Sequence, residues 1–237
     1  MDHRTAACAL FVALGLAGCE REAQPQAAND ATEIAQLRAQ LTDLKDRQDI
    51  VATLQRYIRG IDRHDKELVR STFWPEARIN LGTPNGREEY VDREEAALAA
   101  YAQHQHHVTG QTIDIQGNTA HVESYVWFIA VPRDTGKDTP GPATPGRSLV
   151  SADTQLGSGR YIERWEKRDG EWKILVREYA HDVNAFAKTD DYCGKRSCLT
   201  RWDNKDLSYA RPLEPLTPEQ RSALAESNKQ PHSAKAQ

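Results

Sequence analysis

Gly159-Arg160-Tyr161-Ile162-Glu163-Arg164-Trp165-Glu166-Lys167-Arg168-Asp169-Gly170-Glu171-Trp172-Lys173-Ile174 is the stretch on which the fold turns. Aromatic and aliphatic residues recur among charged ones on both sides of Asp169-Gly170, and an Asp-Gly pair suits the tight turn of a hairpin, whose central residues need positive φ. The reading is two paired strands, about Thr154 to Lys167 and Glu171 to His181. Working back along the chain, His106 to Ile115 and Ala120 to Val131 read as two more strands, joined through Gln116-Gly117-Asn118. Between Pro132 and Asp153 the sequence is crowded with Pro, Gly and Thr and is expected to form a long loop, a lid or a mobile segment.

Farther upstream, Ala77-Arg78-Ile79-Asn80-Leu81 alternates and meets the turn cluster Gly82-Thr83-Pro84-Asn85-Gly86, so a short strand is expected there. Glu88 to Tyr101, with early acidic residues, reads as a helix. Before it, Ile34, Leu37, Leu41, Leu44 and Val51 recur at steps of three and four. That pattern continues through Leu54, Tyr57 and Ile61 and ends near Asp62-Arg63-His64-Asp65, with a short second helix around Glu67 to Phe73. The order helix, helix, strand, helix, then long strands predicts an α+β fold: a curved antiparallel sheet wrapped around N-terminal helices, with the open mouth of the cone as a ligand pocket.

The chain of 237 residues, 38% hydrophobic and 28% charged, has room for one domain of ordinary size with tails. Its net charge of -4 offers no footprint for nucleic acid. Residues 32–45 form a heptad-like spacer that suits either a self-associating coil, giving a dimer or trimer, or a helix docked on its own domain. Residues 46–186 are expected to form the domain, and residues 187–237 an irregular extension with a frayed helix from Pro218.

At the start, Thr5 to Gly18 is apolar and too short to be a membrane span, which fits a signal peptide over residues 1–18. Leu16-Ala17-Gly18-Cys19 resembles the lipobox of bacterial lipoproteins; that resemblance implies a diacylglycerol on Cys19 and a protein held at the membrane of the cell envelope. Glu20, in place of the Asp that tends to retain such proteins at the inner membrane, implies the outer membrane, with residues 19–31 as a flexible tether. An ordinary secretory signal with a chance cysteine is the alternative. In an exported protein Cys193 and Cys198 suit a small-loop disulfide; a metal or redox pair is the rival reading.

Several local patterns between about Asp46 and Phe186 carry a resemblance, in order and at matching spacing. They are Tyr57-Ile58-Arg59-Gly60-Ile61-Asp62-Arg63-His64-Asp65, Phe73-Trp74-Pro75-Glu76-Ala77, His106-His107-Val108-Thr109-Gly110, and Gly159-Arg160-Tyr161-Ile162-Glu163 with Asp169-Gly170-Glu171-Trp172-Lys173-Ile174 and Arg177. Together they resemble the SnoaL-like branch of the nuclear transport factor 2-like superfamily. The chain departs from that pattern at Gly110, where Asn is frequent, at Glu163, where Asp is usual, and at Asp182-Val183, where Asp-Trp is common. The resemblance implies an Asp on the first helix and a His on the sheet that form a dyad inside the cone. Carried over position by position, the Asp is Asp62, the His is His106, Tyr57 is a pocket tyrosine and Arg160 is the arginine of the Gly-Arg-Tyr motif.

The chemistry of those residue types agrees. An imidazole titrates near neutral pH and serves as a general base, and a carboxylate on one ring nitrogen fixes the tautomer that leaves the other free. Helix capping also explains Asp62 and Asp65; Asp65 is the better cap and Asp62 the better functional candidate. His104 and His106 share a strand face while His107 points away, and with no further ligand at a telling spacing no metal is expected. Aromatic strand residues mostly build core, with Tyr125 and Trp127 assigned to a ligand wall. The resulting expectation is a dehydratase, another lyase or an isomerase acting without a cofactor on a small hydrophobic molecule. The alternative is a non-catalytic module that holds a ligand or an envelope partner in the same cone.

Overall fold

In the computed structural model the described residues are 23–82, 84–132, 139–141, 144–149, 153–188, 203 and 205–229. Cys19, Cys193 and Cys198, and with them the proposed lipid anchor and disulfide, lie outside them. The chain divides into two compact units, Met1–Lys45 and Asp46–Gln237. The first is helical from Ala23, the start of α1 (Ala23–Asp62), so the tether expected over residues 19–31 is replaced by helix there. Ala and Gln, which dominate Ala23 to Ala28, are good helix formers and need no packing partner to favour this state. Ile34, Leu37, Leu41 and Leu44 are exposed along the same unit. No described helix is long and apolar enough to cross a membrane.

The second unit begins within α1, where Ile50, Leu54, Tyr57 and Ile61 are buried at helical spacing. After a tight bend, Asp65 caps α2 (Lys66–Ser71) by accepting the Leu68 N–H at 2.9 Å. The chain continues as β1 (Phe73–Asn80), β2 (Pro84–Gly86), α3 (Arg87–Leu98), β3 (Tyr101–Gln116) and β4 (Thr119–Pro132). After β5 (Thr139–Gly141) and β6 (Thr144–Leu149) come β7 (Asp153–Arg168), β8 (Glu171–Lys188) and, past a short 3-10 turn at Leu207–Tyr209, α4 (Pro218–Lys229). Six strands make one curved sheet in the order β2-β1-β8-β7-β4-β3.

The β7–β8 hairpin turns on Asp169 and Gly170, both at positive φ (51° and 83°), as its Asp-Gly dipeptide requires. Gly110 sits at φ 61° where the β3–β4 ladder slips between Thr109 and Thr112. Glycine and asparagine are the residues that tolerate that region, so the replacement of the family's Asn is conservative in backbone terms.

Three elements differ from expectation. β1 starts at Phe73 and pairs in parallel with β8, so the sheet is mixed at that edge. The Trp74 ring holds the early part, lying under the Arg168 and Lys173 cations at 4.6 and 4.9 Å and donating to the Glu166 carbonyl. Pro75 falls where the register slips, the place a strand tolerates it. The turn cluster around Pro84 forms β2 against β1, and the 132–153 segment contains the paired strands β5 and β6.

Strand alternation positions everything that follows. Along β4, Ala120, Val122, Ser124 and Val126 are buried while His121, Tyr125 and Trp127 are exposed. The inward face meets Tyr57 and Ile61 of α1 and Tyr90, Val91 and Leu98 of α3 in one core with Phe73, Ile79, Trp165 and Ile174.

Candidate active site

α1 ends at Asp62 inside the concave face of the sheet, and the buried carboxylate meets β3 edge-on. Asp62 accepts the His106 backbone N–H through both oxygens at 3.1 Å, and its Oδ1 lies 2.8 Å from His106 Nδ1 and 3.5 Å from His104 Nδ1. His104 and His106 are two residues apart on a strand and therefore share the inward face. Burial alone would raise the Asp62 carboxyl, yet the neighbouring imidazoles of His104 and His106, with the His106 backbone N–H, hold it down at about 2. An ionised Asp62 so close to Nδ1 keeps the proton of neutral His106 on that nitrogen, which leaves the Nε2 lone pair free to accept one. The His106 ring lies beside Phe128, with centroids 5.5 Å apart, which supplies an apolar flank.

The polar chain extends beyond this pair. His104, whose imidazole is inaccessible, has its pKa pushed down by burial against the opposing pull of Asp62. Its Nε2 lies 3.1 Å from His64 Nε2, and His64 Nδ1 lies 3.0 Å from Glu95 Oε1 on α3. Asp62, His104 and His106 each offer a donor atom within 4.8 Å of the others, a set that could in principle hold a divalent cation. Tetrahedral zinc bonds of 2.0–2.1 Å would set neighbouring ligand atoms about 3.3 Å apart. The 2.8 Å Asp62–His106 contact is a hydrogen-bond distance, whereas the 3.5 Å Asp62–His104 contact is not a hydrogen bond.

Deeper in the cone the interior is filled. Arg177 on β8 and Glu163 on β7 form a fully buried ion pair, Nε to Oε1 at 2.5 Å, and Glu163 also accepts the Trp165 indole N–H at 2.9 Å. The guanidinium lies 4.0 Å from the Tyr57 ring, 4.1 Å from Tyr161 and 5.1 Å from Phe73, and its two terminal nitrogens make no hydrogen bond among the described residues. Tyr57 shares a 2.5 Å hydrogen bond with Tyr90, and burial pushes both hydroxyls well above their ordinary range. Tyr57 is therefore part of this packed shell. Glu94 of α3, whose carboxyl burial pushes up, lines a small pocket with Gly60, Ile61, Val69, Val91 and Leu98.

Three assigned pocket residues face the other way. Arg160 lies on the outer face of β7 between Glu123 and Asp182, 3.5 Å from each. Tyr125 and Trp127 are 54% and 43% exposed, and Trp127 stacks on the outward His107 at 4.1 Å. The physical reason is parity: on β4 the inward set is Val122, Ser124 and Val126, so odd-numbered neighbours point away. The buried arginine of the cone is Arg177, a charged residue at a position of inward parity in β8.

Residues 42–178 match the SnoaL-like domain family. Among curated proteins, none matches the chain in sequence. Solved structures with a similar fold include a candidate scytalone dehydratase from Novosphingobium aromaticivorans, 20% identical at a TM-score of 0.51, covering 63% of this chain and 92% of that one. A type 2 hexachlorocyclohexane dehydrochlorinase (LinA) is 16% identical at 0.54, covering 65% of this chain and 96% of that one. A type 3 LinA from Novosphingobium barchaimii is 15% identical at 0.51, covering 62% and 94%. At these identities the likeness concerns the fold.

Proposed function

Because the chain belongs to the SnoaL-like domain family, we propose that it is a lyase that eliminates water or a comparable leaving group from a small hydrophobic molecule, with an isomerase as the variant of the same proton chemistry. The observation that carries this reading is the 2.8 Å contact between Asp62 Oδ1 and His106 Nδ1 on the concave face. His106 Nε2 takes the proton from carbon, the C–H electron pair becomes the new double bond, and the leaving group departs with its own pair. Asp62 orients the ring and stabilises the imidazolium that forms. No step in this scheme calls for a cofactor. The dehydratase and dehydrochlorinase named among the structural neighbours use the same fold, which supports elimination as the reaction class.

The filled interior limits the substrate to the region around His106 and Phe128, since Arg177 and its aromatic shell occupy the space beneath. A second reading, an interaction module, is favoured by a different observation. Tyr125, Trp127, Leu156 and Val183 are large apolar residues exposed on the outer face of neighbouring strands β4, β7 and β8. Such a face suits self-association. The lipobox-like Leu16-Ala17-Gly18-Cys19 supports tethering at a bacterial membrane, the outer one by virtue of Glu20, which would favour substrates dissolved in or near the envelope.

The test is a soluble form starting after Cys19, incubated with a panel of hydrophobic β-hydroxy and β-halo compounds and read by mass spectrometry for loss of water or halide. Product from the wild type and none from His106→Ala supports the lyase; equal turnover by both removes His106 from the chemistry.

A further inference from the structure

We propose that His104, His64 and Glu95 form a proton relay that joins the Asp62–His106 pair to solvent on the α3 side of the domain, an inference that rests on His106 being the base. Three hydrogen bonds and one longer contact make up the chain: His106 Nδ1 to Asp62 Oδ1 at 2.8 Å, His104 Nε2 to His64 Nε2 at 3.1 Å and His64 Nδ1 to Glu95 Oε1 at 3.0 Å are hydrogen bonds, whereas Asp62 Oδ1 and His104 Nδ1 stand 3.5 Å apart and must draw together before a proton crosses. Exposure rises along its outer half, from an inaccessible His104 side chain through 17% at His64 to 35% at Glu95.

Proton counting shows why the chain conducts. A carboxylate only accepts, so His64 presents Nδ1–H to Glu95. Its Nε2 then faces another Nε2, and one of the two must carry the proton. When neutral His64 accepts there, His104 holds its proton on Nε2 and turns a bare Nδ1 towards Asp62. When His64 is doubly protonated it donates, and His104 turns Nδ1–H towards Asp62. The second arrangement holds one proton more than the first: a proton delivered from the Asp62 side to His104 Nδ1 sends the Nε2–H on to His64, once the 3.5 Å contact has closed. After His106 Nε2 takes the substrate proton, the imidazolium is held by ionised Asp62, and the Nδ1 proton then crosses Asp62 to His104 Nδ1 without coming to rest on the carboxylate. In the same shift His104 gives up Nε2–H to His64, and His64 gives up Nδ1–H to Glu95 and water. A proton travelling inward to a departing hydroxide restores the starting state, so dehydration uses the relay in both directions.

The backbone is shaped for this. His64 has φ 54°, a left-handed value that residues bearing a side chain seldom adopt. The bend is fixed by the Asp65 N–H donating to the Gly60 carbonyl at 2.9 Å, and it holds the imidazole between α3 and β3.

The experiment uses nitrogen-15 histidine labelling and reads, without substrate, the exchange of the His104 and His106 imidazole N–H protons with water. His64→Leu is expected to slow that exchange by about a hundredfold, the low end of what a positioned proton-transfer group contributes. Glu95→Gln, which keeps an acceptor but cannot take up the proton, is expected to slow it part of the way. Free imidazole is expected to restore it in His64→Ala. Unchanged exchange in His64→Leu, or slowing in His64→Ala that imidazole does not relieve, overturns the relay. If His64→Leu does not fold, Glu95→Gln carries the test, and wild-type exchange there overturns it. Because no turnover is needed, absence of lyase activity with slowed exchange rejects the enzyme reading alone, whereas loss of turnover in His106→Ala with exchange indifferent to His64 rejects the relay alone.

Discussion

Replacing Asp62 by Asn tests whether the carboxylate holds the helix end and the strand together through its charge. The folded Asp62 titrates at about 2 against an ordinary 3.8. At 1.36 kcal/mol per pH unit, that difference corresponds to about 2 kcal/mol of stability supplied by the ionised form. The folded pKa lies below the unfolded one, so the contribution is complete above pH 4 and disappears as pH falls through 2. Asn keeps an oxygen to accept the His106 backbone N–H but has nothing to ionise. The stability gap between wild type and Asp62→Asn is therefore expected to narrow by about 2 kcal/mol between pH 5 and pH 2. His104, whose pKa burial lowers from 6.5, adds a loss of stability as pH falls below 6.5, because the unfolded chain then binds a proton that the buried imidazole resists. Urea denaturation at pH 5, 4, 3 and 2, extrapolated to water, gives the gap. A gap that stays constant across that range refutes charge-based anchoring, and one that widens towards acid inverts its sign.

Glu163→Gln leaves the Arg177 cation buried without its counter-ion and is expected to cost roughly 3–5 kcal/mol in thermal unfolding, with Glu163→Leu combined with Arg177→Met recovering much of the loss. Trp127→Glu, on the outer face, is expected to change stability by less than about 0.5 kcal/mol while abolishing self-association in sedimentation velocity. A stable species of unchanged mass would clear that face of a role in assembly.

The strongest sequence signals were local ones. Asp169-Gly170 set the β7–β8 hairpin because the turn type demands positive φ, and the buried spacing of Ile50, Leu54, Tyr57 and Ile61 marked the inner face of α1. The parallel pairing of β1 and its start at Phe73 were hidden, since they depend on Trp74 meeting Arg168 and Lys173, residues more than ninety positions away. Asp62 and His106 were implied by the family resemblance, and the structure sets them 2.8 Å apart. His64 and Glu95 carried no signal, because their meeting depends on how α3 crosses the helix bend. The misassignment of Tyr125 and Trp127 had a remedy in the sequence: Val122 and Val126 sit at the opposite parity of the same strand, and β-branched residues two or four apart mark the core side. The same parity test along β8, starting from Trp172 and allowing for the bulge at Leu175, would have marked Arg177 as inward.

A double-mutant cycle on elimination turnover tests most directly whether Asp62 and His106 act as one unit. His106→Ala is expected to lower kcat by roughly 10²–10⁴, Asp62→Asn by a comparable factor, and the double variant by no more than the larger single loss. Losses that multiply in the double variant, or turnover that survives His106→Ala, would contradict the account.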